Sequence, residues 1–306
     1  MEYRVLGKDG PQVPVLGFGA WPLGGGMGIV VESVAISTIH AAIDNGLTLI
    51  DTAQAYQTSE TIIGRALKNG YRERCFLATK ASFDYSRAGI LTAMENSLRA
   101  LQVDYIDLYQ LHGWNPQYPI EESLETLAWL QEAGKTRYIG VSNFNARQMQ
   151  QALRVARFCS NQIIYNLFDR QIEAEDIPFC ERAGIGILTH SSLAKGLLSG
   201  RYTPRHKFSA DDERSEFPSF QGEVFARYLA LADQLKQVAQ AKGLSLIQLA
   251  IAWLLRLPAV TSVLVGAKNP AQVTEYGGAV GVVFTSEELS RIDEILLNIP
   301  QSTTGV

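Results

Sequence analysis

Cysteine is scarce, positive charge is not in excess, and no long apolar run occurs. Cys75, Cys159 and Cys180 stand far apart and form no Cys-x-x-Cys pair. That spacing excludes a disulfide framework and suits a reducing compartment, with the three thiols read as small buried hydrophobes. The four histidines, His40, His112, His190 and His206, show no metal-ligand spacing, so no metal site is expected. Lys and Arg number 27 against 31 Asp and Glu, a formal net charge of -4. There is no basic footprint for a phosphate backbone, and nucleic acid is not an expected partner. No stretch approaches the roughly 18 apolar residues of a membrane span. Met1-Glu2-Tyr3-Arg4 opens polar, without an apolar leader. The expectation is a cytoplasmic protein with no membrane partner. A dinucleotide fingerprint is missing too. Gly24, Gly26 and Gly28 alternate and position 29 is Ile, so G-x-G-x-x-G fails.

What the chain does have is apolar content, 46% of 306 residues. That is enough for one α/β barrel or two small domains. Residues 4–6 and 13–15, around Asp9-Gly10, predict a β-hairpin. Residues 16–19 predict a strand, and 20–28 a flexible loop on the substrate side. A rhythm then sets in. Helices are expected at 33–45, 59–67, 87–101, 120–132, 146–155 and 175–182. They alternate with strands at 48–51, 76–80, 106–112, 138–141, 160–164 and 186–190. Helices at 225–241 and 245–255, a strand at 260–265, a helix after Pro270 and a helix at 286–296 complete the chain. Apolar runs such as Ser262-Val263-Leu264-Val265 suit a parallel sheet buried on both faces. Gly46, Gly134 and Gly184 stand where helices need left-handed ends. The count of about eight β-α units favours an α/β fold of the (β/α)8 TIM-barrel type. It has an N-terminal β-hairpin and extra C-terminal helices, in a single domain over 1–306. The stretch 203–222, rich in charge, Ser and Pro, is too long for a plain connection and reads as a lid or cofactor loop.

Chemistry gathers at the carboxyl ends of the strands, where such folds bind ligands. The second barrel strand ends at Asp51, with Tyr56 five residues beyond. The third ends at Lys80 and the fourth at His112. Each alone is readable as packing or a solvated strand end; together they make a chemical unit. A phenol with a pKa near about 10 exchanges protons poorly at neutral pH. An adjacent ammonium lowers that value, a carboxylate keeps the ammonium charged, and an imidazole donates to a carbonyl oxygen. This is an acid with an oxyanion clamp, the set that carbonyl reduction requires. The hydride must come from a cofactor.

The residues also resemble a known family. The motifs are Leu16-Gly17-Phe18-Gly19, Ile50-Asp51-Thr52-Ala53 with Tyr56, Thr79-Lys80, and Asp104-Tyr105-Ile106-Asp107-Leu108 with His112. They continue with residues 134–144 (Gly-Lys-Thr-Arg-Tyr-Ile-Gly-Val-Ser-Asn-Phe), Gln162 with Tyr165-Asn166, Gly196-Leu197-Leu198-Ser199-Gly200, and Gly266-Ala267-Lys268. Over nearly its whole length the chain resembles the aldo-keto reductases, most closely a bacterial, inositol-operon-like and potassium-channel-β-like branch. The resemblance implies that Tyr56 is the general acid, Lys80 depresses its pKa, Asp51 holds Lys80, and His112 orients the carbonyl. It implies Ser142, Asn143 and Gln162 on the nicotinamide carboxamide, with His190 in place of the usual stacking aromatic ring. The loop from Leu193 to Leu198, with Lys195 and Gly196, would wrap the pyrophosphate with backbone N–H groups, and Ser191 is a further cofactor-binding residue. Gly266, Lys268, Gln272 and Glu275 would line the adenosine end. Gln272 and Tyr276 depart from the usual arginine and asparagine there. Lys268 still offers a cation to a 2′-phosphate, so NADP is expected and NAD is the alternative. Trp21, Phe83 and Trp114, with Tyr56 and His112, are the expected walls for a small carbonyl or alcohol substrate. The resemblance implies a reductase of aldehydes or ketones. An NAD-linked sugar or polyol dehydrogenase, or a cofactor-sensing regulatory subunit, are the competing readings. The branch includes monomers and assemblies.

Overall fold

The computed structural model describes residues 1–300. Strands β1 (Tyr3–Val5) and β2 (Gln12–Pro14) pair antiparallel, with Arg4 opposite Val13. The hairpin is present, but its turn differs from the expected Asp9-Gly10 turn. The left-handed residue is Gly7, at φ +75°, and a Cβ there would lie 2.4 Å from the Cys159 carbonyl oxygen. The chain bends where it is pressed against the barrel, and only glycine tolerates both the angle and the contact.

Next come β3 (Leu16–Gly19), α1 (Glu32–Asp44), β4 (Leu49–Asp51), α2 (Ser59–Ala66), β5 (Phe76–Ala81) and α3 (Arg87–Leu101). They are followed by β6 (Ile106–Leu111), α4 (Ile120–Glu132), β7 (Thr136–Ser142), α5 (Ala146–Ala152), β8 (Ser160–Ile164), α6 (Asp176–Ala183) and β9 (Gly186–His190). The chain ends with α7 (Gly222–Ala241), α8 (Leu246–Leu255), β10 (Val260–Val265), α9 (Pro270–Tyr276) and α10 (Ser286–Leu296). Strands β3 to β10 form a closed barrel, β10 lying beside β3, and every pairing within it is parallel. The expected (β/α)8 architecture is therefore the observed one, and the expected elements recur with ends shifted by a few residues. Gly46, Gly134 and Gly184 do end helices with positive φ.

Two cores hold the fold. Leu49, Ala78, Leu108, Leu188 and Leu264 fill the barrel interior, and Leu6 and Val13 of the hairpin region join them. The hairpin thus stoppers one end of the barrel. Arg4 fastens it, donating to the carbonyls of Leu255, Leu257 and Val260 at 2.6–3.1 Å. The larger core lies between barrel and helices; α8 is buried along nearly its whole length. The other end of the barrel, where β4 ends at Asp51, stays polar.

Among the described residues no single helix is long and apolar enough to cross a membrane. Nor does any group of three or more His, Cys, Asp or Glu stand where it could hold a metal ion. All three cysteines are free, and burial pushes each thiol up to about 12.

Candidate active site

Inward-facing positions at the strand ends bring the predicted residues together. Asp51 ends β4 and Lys80 sits in β5, both facing into the barrel, so a buried carboxylate meets a buried ammonium. Lys80 Nζ donates to Asp51 Oδ1 at 2.6 Å, to the Thr52 carbonyl at 2.8 Å and to Tyr56 Oη at 3.4 Å. Gln162 Nε2 donates to the second carboxylate oxygen, Asp51 Oδ2, at 2.7 Å. Every charge in this layer has a partner, as a dry interior demands. Burial alone would lower Lys80, but Asp51 and Tyr56 outweigh it and hold the ammonium above its ordinary value.

Tyr56 feels the pull of Lys80 in the expected direction, but that pull is not the largest influence on it. Burial raises its pKa above the ordinary value, Lys80 pulls it back, and the Asp51 charge adds to burial; the net direction is up. The phenol is therefore a firmly protonated acid. Lys80 still favours the phenolate, but within a site that starts from a penalty.

His112 lies beside Tyr56, ring centroids 5.5 Å apart and edge-on. Its Nδ1 is bonded to Ser82 Oγ at 2.8 Å, which leaves Nε2 as the ring's remaining polar atom. Burial, with Lys80 and His190 adding to it, lowers its pKa to about 3. His190 is lowered to about 3 by burial, Lys80 and Lys195. Its Nε2 bonds Asn143 Oδ1 at 2.9 Å and its Nδ1 bonds Ser191 Oγ at 3.3 Å. Both imidazoles are neutral hydrogen-bonding groups at any ordinary pH.

Ser142, Asn143 and Gln162, expected to face a carboxamide, form a self-bonded shelf. Ser142 Oγ donates to the Gln162 carbonyl at 2.9 Å, and Asn143 Nδ2 donates to Ser142 Oγ and to the His112 carbonyl at 3.1 and 3.2 Å. Asn143 holds this pose in the left-handed region, at φ +59°. The Gln162 donor is committed to Asp51 because a buried carboxylate needs a partner for each oxygen.

A cavity of about 600 Å³ runs from Tyr56 and His112 past His190, Ser191, Leu193, Lys195 and Gly196 to Gly266, Lys268 and Gln272. The loop after β9 is bent by positive φ at Ser191, Ala194 and Lys195 as well as Gly196. Non-glycine residues in that region store strain and gather at binding loops. The backbone N–H groups of Ala194, Gly196 and Leu198 turn inward, onto the carbonyls of Ser191 and Leu193. Leu198 is fully buried in the core and does not line the cavity. Glu275 does not line it either; its carboxylate lies 3.8 Å from Arg201. Lys268 Nζ donates to the Met27 carbonyl, and its pKa is lowered by burial and by Arg214 nearby. Gln272 Oε1 accepts from the Lys268 N–H at 2.8 Å, and Tyr276 Oη donates to the Gly266 carbonyl at 2.8 Å.

The expected substrate walls are only partly in place. Trp21 lines the cavity, with its ring edge-on to Tyr56 at 4.8 Å. Phe83 is 70% exposed and lies off the cavity. Trp114 packs edge-on against Phe144 at 5.2 Å and is likewise outside the lining. The glycine-bearing loop at 20–28, expected to be flexible, is tied down. Met27 bridges to Asp212, and the Glu213 N–H donates to the Gly26 carbonyl at 3.0 Å.

That contact involves the stretch 203–222, which the sequence marks as a lid or cofactor loop without singling out the residues it contributes. The long segment after β9 folds back over the cavity and lines it with Tyr202, Glu213, Arg214 and Phe217. Glu213 Oε1 accepts from Trp21 Nε1 at 2.8 Å and from Lys195 Nζ at 2.7 Å. Arg214 pairs with Asp212 at 2.5 Å and donates to Tyr202 Oη at 2.6 Å. Length and a composition rich in charge, Ser and Pro mark the segment in the sequence, but not which of its side chains reach the cavity. The cavity suits a nicotinamide dinucleotide in its chemistry: apolar walls, an acid at one end, and Lys195, Arg201, Arg214 and Lys268 along the rest for phosphates.

Known proteins share this arrangement of elements. The aldo/keto reductase family model matches residues 15–297. The aldo-keto reductase YhdN of Bacillus subtilis is 40% identical over 319 residues, covering 100% of this chain and 96% of the relative. Among solved structures, a glycerol dehydrogenase from Gluconobacter oxydans superposes with a TM-score of 0.87 at 35% identity, covering 99% of this chain and 98% of that one. An aldo/keto reductase from Klebsiella pneumoniae, in complex with NADP and acetate, gives 0.78 at 29% identity, covering 100% and 99%. With the family model spanning most of its length and this barrel beneath it, the chain belongs to the aldo/keto reductase family.

Proposed function

We propose that this chain reduces an aldehyde or ketone to an alcohol with NADPH, and that Asp51, Tyr56, Lys80 and His112 carry the chemistry. The observation that supports it best is the Lys80 ammonium, bonded at once to Asp51 and to the Tyr56 phenol at the end of one cavity. The cofactor, when bound, supplies the hydride to the carbonyl carbon. Tyr56 gives its proton to the carbonyl oxygen as the alcohol forms, and solvent restores it. Lys80 stabilises the phenolate left behind. The uncommitted His112 nitrogen donates to the same oxygen and fixes its place. His190, held by Asn143 and Ser191, offers a neutral flat ring to the nicotinamide. Ser142, Asn143 and Gln162 form the rigid shelf beneath. Ser191, Leu193, Lys195 and Gly196 would hold the pyrophosphate, and Gly266, Lys268 and Gln272 the adenosine end. Trp21 walls the substrate side. The preference for NADP rests on Lys268, the cation at that end.

The test is NADPH oxidation with a generic aldehyde, by the wild type and Tyr56→Phe. Loss of at least about 100-fold in kcat is expected when the proton donor is removed; unchanged turnover refutes the assignment. A second reading, an NAD-linked polyol dehydrogenase, draws on Gln272 and Tyr276: neither brings a positive charge to a 2′-phosphate, and the Tyr276 hydroxyl is given to the Gly266 carbonyl. Comparing NADPH with NADH, in the wild type and in Lys268→Ala, separates the two. Lys268→Ala is expected to weaken NADPH and spare NADH.

A further inference from the structure

Asp51 and Tyr56 belong to β4 and the loop that follows it, Lys80 to β5, and the 3.4 Å Lys80–Tyr56 contact is the longest in the set. The β4–β5 ladder and the Gln54 N–H, which donates to the Lys80 carbonyl at 3.3 Å, set the backbone register, and side chains outside the cavity reinforce it. Two neighbouring residues in the first turn of α2 touch both strands. Thr52, next to Asp51, donates from Oγ1 to Ser59 Oγ at 2.9 Å. Thr79, next to Lys80, donates from Oγ1 to Glu60 Oε1 at 2.7 Å. Ser59 Oγ also reaches the Ala20 carbonyl at 3.4 Å, and the Ser59 N–H donates to the Tyr56 carbonyl at 2.8 Å. Thr52, Ser59, Glu60 and Thr79 are all buried.

The alternation of side chains along a strand explains the pattern. Asp51 and Lys80 point into the barrel, so Thr52 and Thr79 point outward, where α2 lies. Glu60 is an expensive residue to bury: desolvation raises its pKa against the pull of the Thr79 bond. An apolar side chain would serve packing better at that position. Its carboxylate is explained if the bond it accepts has a job beyond packing.

We propose that Ser59 and Glu60 are positioning residues, a two-point clamp on Thr52 and Thr79 that fixes the Tyr56 loop against Lys80. The inference deepens the carbonyl-reductase reading, since a misplacement of about 1 Å costs on the order of 100-fold in rate. The clamp touches neither cofactor nor substrate. Breaking it changes kcat and the environment of the Tyr56 phenol, while KM is spared.

Thr79→Val keeps the shape and removes the donor. Glu60→Ala removes the acceptor, and Glu60→Gln keeps one. Two readouts are taken on each: steady-state kinetics with NADPH and an aldehyde, and the 13Cζ resonance of Tyr56 in labelled protein, assigned by Tyr56→Phe. Thr79→Val is expected to lower kcat at least ten-fold with KM within two-fold. It is expected to move the Tyr56 resonance at least half as far as Lys80→Met does. Glu60→Gln recovers most of the loss seen in Glu60→Ala. A folded Thr79→Val protein whose Tyr56 resonance stays in place overturns the clamp. If the wild type turns over no carbonyl with either cofactor, the functional reading fails, and the resonance still decides the clamp.

Discussion

Replacing Lys80 by methionine tests the electrostatic core of the site. Methionine keeps the length of the stem and deletes the charge. The ammonium stands 3.4 Å from Tyr56 Oη and is fully buried, so solvent does not screen the pair. At an effective dielectric constant of about 20, a unit charge at that distance favours a phenolate by about 5 kcal/mol. If the full phenolate charge has developed in the transition state, its loss slows turnover by about 5,000-fold. With half the charge developed, the factor is about 70. Lys80 has no exposed surface, so KM for the carbonyl is expected to stay within about three-fold. Stability falls as well. Asp51 is left buried with Gln162 as its remaining side-chain donor, and breaking a buried pair costs about 3–5 kcal/mol. The double variant Lys80→Met with Asp51→Asn is expected to recover much of that stability and none of the activity. Steady-state NADPH oxidation and urea unfolding of the two variants provide the measurements. The reasoning is refuted if Lys80→Met keeps kcat within three-fold of wild type, or if its defect lies in KM.

The histidines set the pH behaviour. His112 and His190 are held down to about 3, so reduction is expected to show no limb near pH 6.5. In the unfolded chain both titrate near about 6.5. Below that pH the unfolded state binds protons that the folded state refuses. Stability is then lost as pH falls from about 6.5 toward 3, by up to about 1.4 kcal/mol per pH unit for each histidine. Urea midpoints at pH 7 and pH 5 read this, and His190→Phe should flatten the slope. Gly24→Ala places a Cβ 2.3 Å from the Tyr56 carbonyl oxygen, at an ordinary φ of -78°. The Tyr56 loop has to shift, so kcat should fall at least ten-fold with cofactor affinity within two-fold; a wild-type kcat would show the loop to be more forgiving than its packing.

Different physics separates what was legible from what was not. Strand ends and helix starts follow from period, caps and glycine, which are local, so Asp51, Lys80 and His112 could be set on one rim. The pKa of Tyr56 could not be read the same way. Lys80 was visible and its pull had the right sign, yet depth of burial decides the balance, and depth belongs to the folded molecule. Gln162 illustrates the same limit: its place on a strand end was readable, but not that its donor would be taken by Asp51, 111 positions away. Phe83 and Trp114 had the composition of a substrate wall, and packing sent one to solvent and the other onto Phe144. Glu213 and Arg214 lie in an irregular segment with no period to read.

By itself, then, the chain of residues determined the barrel, its order and the chemical types around its rim, because these depend on alternation and spacing along the backbone. Only tertiary structure decided which polar groups satisfy one another, how far the phenol is dried, and which side chains of the covering segment reach the cavity. Those depend on distances between residues far apart in sequence, and on how much water remains between them.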